Sequence, residues 1–458
     1  MAWRAEMSGS AISQEITDVA LDHATGRPWW IAVLGALGLM GVLAASVGWL
    51  LYEGVGVWGN NNSVAWALDI VSYDWWIGVA SGGLMVSALL LLLGAEWRGA
   101  VNRITETMGL LAAAAAGLYP IIHLGRPWFF FWNLPYPNTF LLWPQFRSPL
   151  FWDAVDIISY LLITLSFWYI GMLPDLAAMR DRSIERLERM EGRPGGWLRL
   201  LRAQLYGIVA LGWRGSIMHW QRWEDTYRIL AVFGVVLVVS LQTGAAVMFA
   251  GSVEPGWHDV MLPVSFLFAA VFAGVAIVSM MMVVLRAAFP LRNLVTARHL
   301  NLLALLLLGL GLANLYCHAA EFLITALTGN DYDQEVTARR FAGPRAWSTW
   351  ATIICGLAPV HLFWLPAARR SPVVLFIIGL LVAFGMWAEH FMVIVVTLQR
   401  DFLPSSDHPY AIDVVEVATF LGTVGLFMFL LLLFVRYIPV LSVVDTRTLV
   451  GTGPVRRG

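Results

Sequence analysis

Residues 259–285, DVMLPVSFLFAAVFAGVAIVSMMMVVL, decide the fold, because no charged side chain occurs between Asp259 and Arg286. As a helix this stretch runs about 40 Å at 1.5 Å per residue, more than the roughly 30 Å hydrocarbon core of a bilayer. A buried helix of a soluble protein has no need of such length. Similar stretches recur on both sides of it, at about 29–52, 73–95, 105–124, 150–173, 229–250, 300–327, 346–366, 372–398 and 412–437. Together they predict an all-α integral membrane protein with ten transmembrane helices. The spans are apolar all round, so their ends come from Arg, Pro and Trp at the edges rather than from periodicity.

The composition agrees. Of 458 residues, 59% are hydrophobic and only 13% charged, and the mean hydropathy is +0.71. Disordered, collagen-like and nucleic-acid-binding chains are excluded; the net charge of −1 offers DNA or RNA no electrostatic footprint. Two cysteines, Cys317 and Cys355, both in apolar stretches, supply neither a disulfide framework nor the thiolates of an iron-sulfur centre. No Cys-x-x-Cys-His is present for covalent haem. Residues 1–28 are mixed polar and acidic without an apolar run, so the first span is expected to serve as the signal.

Every basic residue is Arg, and their distribution orients the chain. With a cytoplasmic N-terminus the two faces receive 23 and 6 of the 29 arginines. The positive-inside rule then places both termini in the cytoplasm. Residues 174–228 alternate in charge from Arg180 to Glu191, then turn at Gly192 to Gly196 and carry Trp197, Trp213, Trp220 and Trp223. They read as a charged helix, a turn and an interfacial segment, either lying on headgroups or docking another protein of a complex.

A charged group inside a span costs roughly 2.5–3.5 kcal/mol on insertion scales, so intramembrane acids and imidazoles are the functional candidates. Leaving aside edge acids such as Asp74 and Glu106, the candidates concentrate in two places. His123 closes the third span and Asp153 opens the fourth, both at the outer face. Between them an aromatic, proline-rich loop carries Arg126, Trp128 and the run Phe129 to Trp132, as a cap in the interface would. An imidazole beside a carboxylate suits a hydroquinone: one accepts a phenolic proton while the other orients the headgroup. The alternative is that the pair ties the loop to the helix ends. The second cluster is His318 and Glu321, three apart on one face of the seventh span, with Glu389 and His390 in the ninth. It reads either as a proton path or as a set of packing ion pairs. Asp413 and Glu416 read as helix N-terminal acids, and Met280 to Met282 as packing. His123 with His258 is a poor haem pair, and no metal site is expected.

The strings Ile122-His123-Leu124-Gly125-Arg126-Pro127-Trp128, Pro135-Tyr136-Pro137-Asn138 and Ser148-Pro149-Leu150-Phe151-Trp152-Asp153 resemble the NrfD/polysulfide-reductase-like membrane subunits. Within that group they look most like the C subunit of alternative complex III. Trp58 to Asn62, Gly212 to Ser216, Pro255 to His258 and Arg400 to Ser406 extend the resemblance over residues 29–440.

The resemblance implies two four-helix bundles flanked by two peripheral helices. Residues 1–28 would be a cytoplasmic segment, 29–250 the first helix and the quinol-side bundle, 251–398 the second bundle, and 399–458 the last helix and cytoplasmic tail. It implies oxidation of menaquinol or ubiquinol near the periplasmic face of a bacterial inner membrane. His123 would accept the proton with Asp153 as its partner, and Arg126 and Trp128 would join the binding site. Electrons would pass to extrinsic iron-sulfur and multihaem cytochrome c subunits, beside other membrane subunits and lipid; the chain itself would hold no haem or iron-sulfur centre. A non-catalytic anchor and a proton-translocating subunit are the rival readings. The chain departs from the family pattern at Ser81, Gln242 and Met248, where histidines and an acid are common. Ser81 and Gln242 can relay a proton but cannot hold charge.

Overall fold

The apolar stretches form helices. The structure is a computed structural model and describes residues 16–18, 20–21, 26–133, 149–189, 196–289, 291–400, 402–403, 405 and 407–446. Most of the 1–28 segment, the turn at 190–195, the greater part of the aromatic loop and the end of the tail lie outside the described residues. From Arg27 onward the helices are α1 (Arg27–Glu53), α2 (Leu68–Leu92), α3 (Arg98–Ala116), α4 (Tyr119–His123), α5 (Pro149–Glu188), α6 (Gly196–Val209) and α7 (Ile217–Ala250). There follow α8 (Leu262–Ala288), α9 (Ala297–Thr328), α10 (Asp331–Ala342), α11 (Trp347–Ala351), α12 (Pro366–Arg370), α13 (Pro372–Phe391) and α14 (Val414–Tyr437). Among the described residues nine helical stretches are long and apolar enough to cross a membrane; α3 and α4 together make one of them. A tenth is reached through α11, whose helix runs on to Trp364 and is bent 66° from α10.

Local chemistry sets the starts. Ser216 and Ser371 accept from the backbone amides of His219 and Val374 to cap α7 and α13, and Pro372 occupies the first turn of α13. Asp413 and Glu416 form a capping box at α14, the N-terminal role expected of them.

Helices α2, α3, α5 and α7 pack in one ring, and α8, α9, the α11 span and α13 in another, while α1 packs on α14 beside them. The rings join where α2 meets α8. A Cβ added to Gly82 would lie 2.6 Å from the Gly274 Cα, so only glycine allows this backbone contact. α2 is thereby the most enclosed span.

Three spans begin earlier than their hydropathy suggests: α2 at Leu68 rather than 73, α3 at Arg98 rather than 105, α7 at Ile217 rather than 229. The added turns carry charges, and at α3 these are buried because they are paired. Arg103 reaches Glu106 at 3.0 Å and Asp175 at 2.6 Å; Arg98 reaches Asp445 at 2.7 Å and the Tyr227 hydroxyl at 2.9 Å. Tyr227 and Ser87 donate to Glu106. This network closes the arginine-rich end of the first ring.

Candidate functional site

At the arginine-poor end of the first ring, α2 begins with an acid. Asp69, 3% exposed, sits in the first turn, where the helix dipole favours a carboxylate. α4 ends at His123, and the two meet: the His123 Nδ1 is hydrogen-bonded to Asp69 Oδ2. In a neutral imidazole that donates from Nδ1 to the Asp69 carboxylate, the lone pair is on Nε2. Trp58 stacks on the imidazole with ring centroids 6.3 Å apart. Carboxylate and indole thus fix the ring.

His123 lines a cleft with Asp153 and Asp156 from α5, Tyr73 and Asp74 from α2, and Gln242 from α7. The space it lines amounts to about 760 Å³, open solvent included. Aromatic rings build the wall: Phe249 packs edge-on against Trp66 and Trp257, and Phe266 lies 5.8 Å from Phe249. Among the described residues Asp69 Oδ1 and Asp74 Oδ2 are buried without a hydrogen-bond partner.

The expected pair is thus brought to one cleft, with a different direct bond. Asp69, which the span boundary at 73 left in a loop, is the hydrogen-bonded partner of His123; Asp153 faces the same cleft without that bond. Asp74, set aside as an edge acid, lines it too. Arg126 and Trp128 are not among the cleft's lining residues; Arg126 is exposed and Trp128 is 58% exposed. Trp128 sits on the short helical segment Pro127–Asn133 that leads away from α4, with Arg126 just before it. Pro135 to Asn138, Arg147 and Ser148 lie outside the described residues. Gln242 donates to Ser81 at 2.8 Å, so two of the residues that depart from the family pattern satisfy each other, and Met248 lines the cleft.

The second cluster splits. His318 Nε2 lies 3.1 Å from Glu389 and Nδ1 3.6 Å from Glu321, while Arg340 from α10 holds Glu321 at 2.7 Å. Arg340 also donates to the Gly256 carbonyl and the Thr397 hydroxyl, both at 2.9 Å. Burial pushes the carboxyl of nearby Asp259, which precedes α8, above its usual range. His390 belongs elsewhere. One residue on from Glu389 along α13, it points into the first cleft, its Nδ1 donating to the Met386 carbonyl at 2.7 Å and its ring beside Phe266. Adjacent helical residues diverge by about 100°, which separates the two side chains.

His258 is exposed. Among the described residues no group of three or more His, Cys, Asp or Glu side chains can hold a metal ion. Sequence reading missed Asp69, Arg340, Tyr73 and the Arg103–Asp175 pair. An acid three to four residues ahead of a hydrophobic run, read as a helix first turn, was the available signal for Asp69.

Residues 56–400 match the family described as polysulphide reductase, NrfD. The chain is 25% identical over 399 residues to the membrane C subunit of a putative dimethyl sulfoxide reductase of Halobacterium salinarum, covering 83% of this chain and 82% of that one. It is 21% identical over 426 residues to the C subunit of selenate reductase of Mesobacillus selenatarsenatis, covering 90% and 94%. A match over most of the length, carried by a multi-pass helical membrane fold, places the protein: it belongs to the polysulphide reductase NrfD family.

Proposed function

We propose that this chain is the membrane subunit of a respiratory oxidoreductase, and that it binds and oxidises quinol in the cleft beside His123. The arginine-poor face is taken as periplasmic, with both termini in the cytoplasm of a bacterial inner membrane. The observation that carries the reading is the Asp69–His123 pair at the edge of an aromatic cleft lined by further carboxylates. Quinol oxidation releases two electrons and two protons. The His123 Nε2 takes one phenolic proton, Asp69 stabilises the imidazolium, and Asp153 or Asp74 takes the second. The aromatic wall holds the ring and the start of the isoprenoid tail.

Both relatives carry names of reductase subunits. A membrane subunit that feeds electrons to a reductase outside the bilayer and the C subunit of alternative complex III share this quinol chemistry. In either setting the electrons leave to extrinsic iron-sulfur or cytochrome c subunits. The His318–Glu389 pair supports a second reading, in which the second ring moves protons, because an imidazole bridging two buried carboxylates is a relay.

The test is His123→Ala in the assembled complex. Quinol-dependent electron transfer is expected to fall by about 10²- to 10⁴-fold, the range for loss of a positioned proton acceptor. Unchanged turnover in a fully assembled variant would remove the site from this cleft and favour a non-catalytic anchor.

A further inference from the structure

The second ring repeats the layout of the first at its arginine-poor end. His123 closes the second helix of its ring; His318 lies in the corresponding half of α9, the second helix of the other. Beside His318 is a cleft lined by Arg340, Thr349, Phe322, Phe341 and Ile353, a space of about 490 Å³ with open solvent included. Phe341 packs edge-on between Phe322 and Trp350, with centroids 5.5 and 6.1 Å away. An aromatic wall again faces an imidazole paired with an acid.

Two further features mark a ligand site rather than a packing gap. The Thr349 hydroxyl lines the cleft, is 4% exposed and has no hydrogen-bond partner among the described residues. A buried hydroxyl left without a partner costs free energy, which a ligand oxygen would offset. The cleft is also bordered by both π-helical segments of the chain's described residues, Thr352–Leu357 and Met392–Val396, through Thr352, Ile353, Leu357 and Met392. Widened turns of this kind are less favourable than α-helix and concentrate at functional sites. Phe322, which lines the cleft, is half exposed.

We propose that this cleft is a second binding site for a quinone-class ligand, a lipid-soluble ring bearing a carbonyl or hydroxyl that pairs with the Thr349 hydroxyl. The ligand class rests on the quinol reading of the first cleft. No electron transfer is assigned to the second site. The ring packs against Phe322 and Phe341, and its oxygen replaces the missing partner of Thr349.

Photolabelling of the assembled complex with a short-tailed azidoquinone, read by peptide mass spectrometry, tests this. Label is expected in two regions, residues 66–74 with 241–249, and residues 322–353. Excess unreactive quinone of the same headgroup is expected to remove both, and excess phosphatidylethanolamine neither. Thr349→Ile, which fills the cleft and deletes the hydroxyl, is expected to cut labelling of the second region by about tenfold or more and spare the first. If that variant does not assemble, Thr349→Val tests the hydroxyl alone in nearly unchanged volume. An unlabelled second region, or label there that phospholipid displaces and quinone does not, would overturn the proposal. Absence of label from the first region alone would instead contradict the quinol reading.

Discussion

The two ends of the first ring are built from the same residue types and do opposite things with them. At the arginine-rich end, among the described residues, the buried acids Glu106 and Asp175 share Arg103, and the partly buried Asp445 takes Arg98. At the arginine-poor end three acids, Asp74, Asp153 and Asp156, face a cleft in which no arginine is among the lining residues. Neutralised acids fix helices, whereas acids left to an imidazole and a cleft can exchange protons. Glu106 and Asp175 are fully buried and Asp74, Asp153 and Asp156 only partly, so burial and the identity of the partner change together.

The largest effect that would sharpen this contrast is on stability. Arg103→Met strips the cation from two buried carboxylates and is expected to destabilise the protein by about 3–5 kcal/mol. Denaturant or thermal unfolding in detergent would show it, while the complexes that still assemble keep their turnover. Wild-type stability in that variant would mean that Glu106 and Asp175 do not rely on Arg103. Asp69→Asn should act in the other sense. It preserves shape but no longer stabilises the imidazolium, so turnover is expected to drop about 10- to 100-fold, as when the group orienting a functional histidine is lost. Folding should be little changed, and an active Asp69→Asn variant would reduce Asp69 to packing. Smallest is Asp413→Ala at the cap of α14, which is expected to cost about 1 kcal/mol and leave turnover intact. A turnover defect there would show that the peripheral helices take part in the chemistry.

Much of this was legible in the sequence. Ten spans follow from apolar length, because a bilayer imposes a minimum that few side chains can disguise. His123 and Asp153 could be placed in one cleft because both end spans on the same face. What stayed hidden depended on rotation and pairing. Glu389 and His390 are neighbours in sequence, yet one faces His318 and the other lines the opposite ring's cleft. Asp69 fell outside the hydropathy window because an acid in a first turn lowers the average of the very helix it starts. Arg103 and Glu106 were read as edge charges, since mutual neutralisation at 3.0 Å leaves no trace in composition. Arg126 and Trp128, prominent in the motif, are exposed and are not among the residues lining the cleft.

The most direct measurement is an experimental structure of the assembled complex loaded with a short-tailed quinone analogue. A headgroup oxygen within about 2.6–3.2 Å of the His123 Nε2, with the ring against Phe249 and Phe266, is the predicted result. A headgroup bound at another face, or a cleft filled by neighbouring protein, would contradict the account.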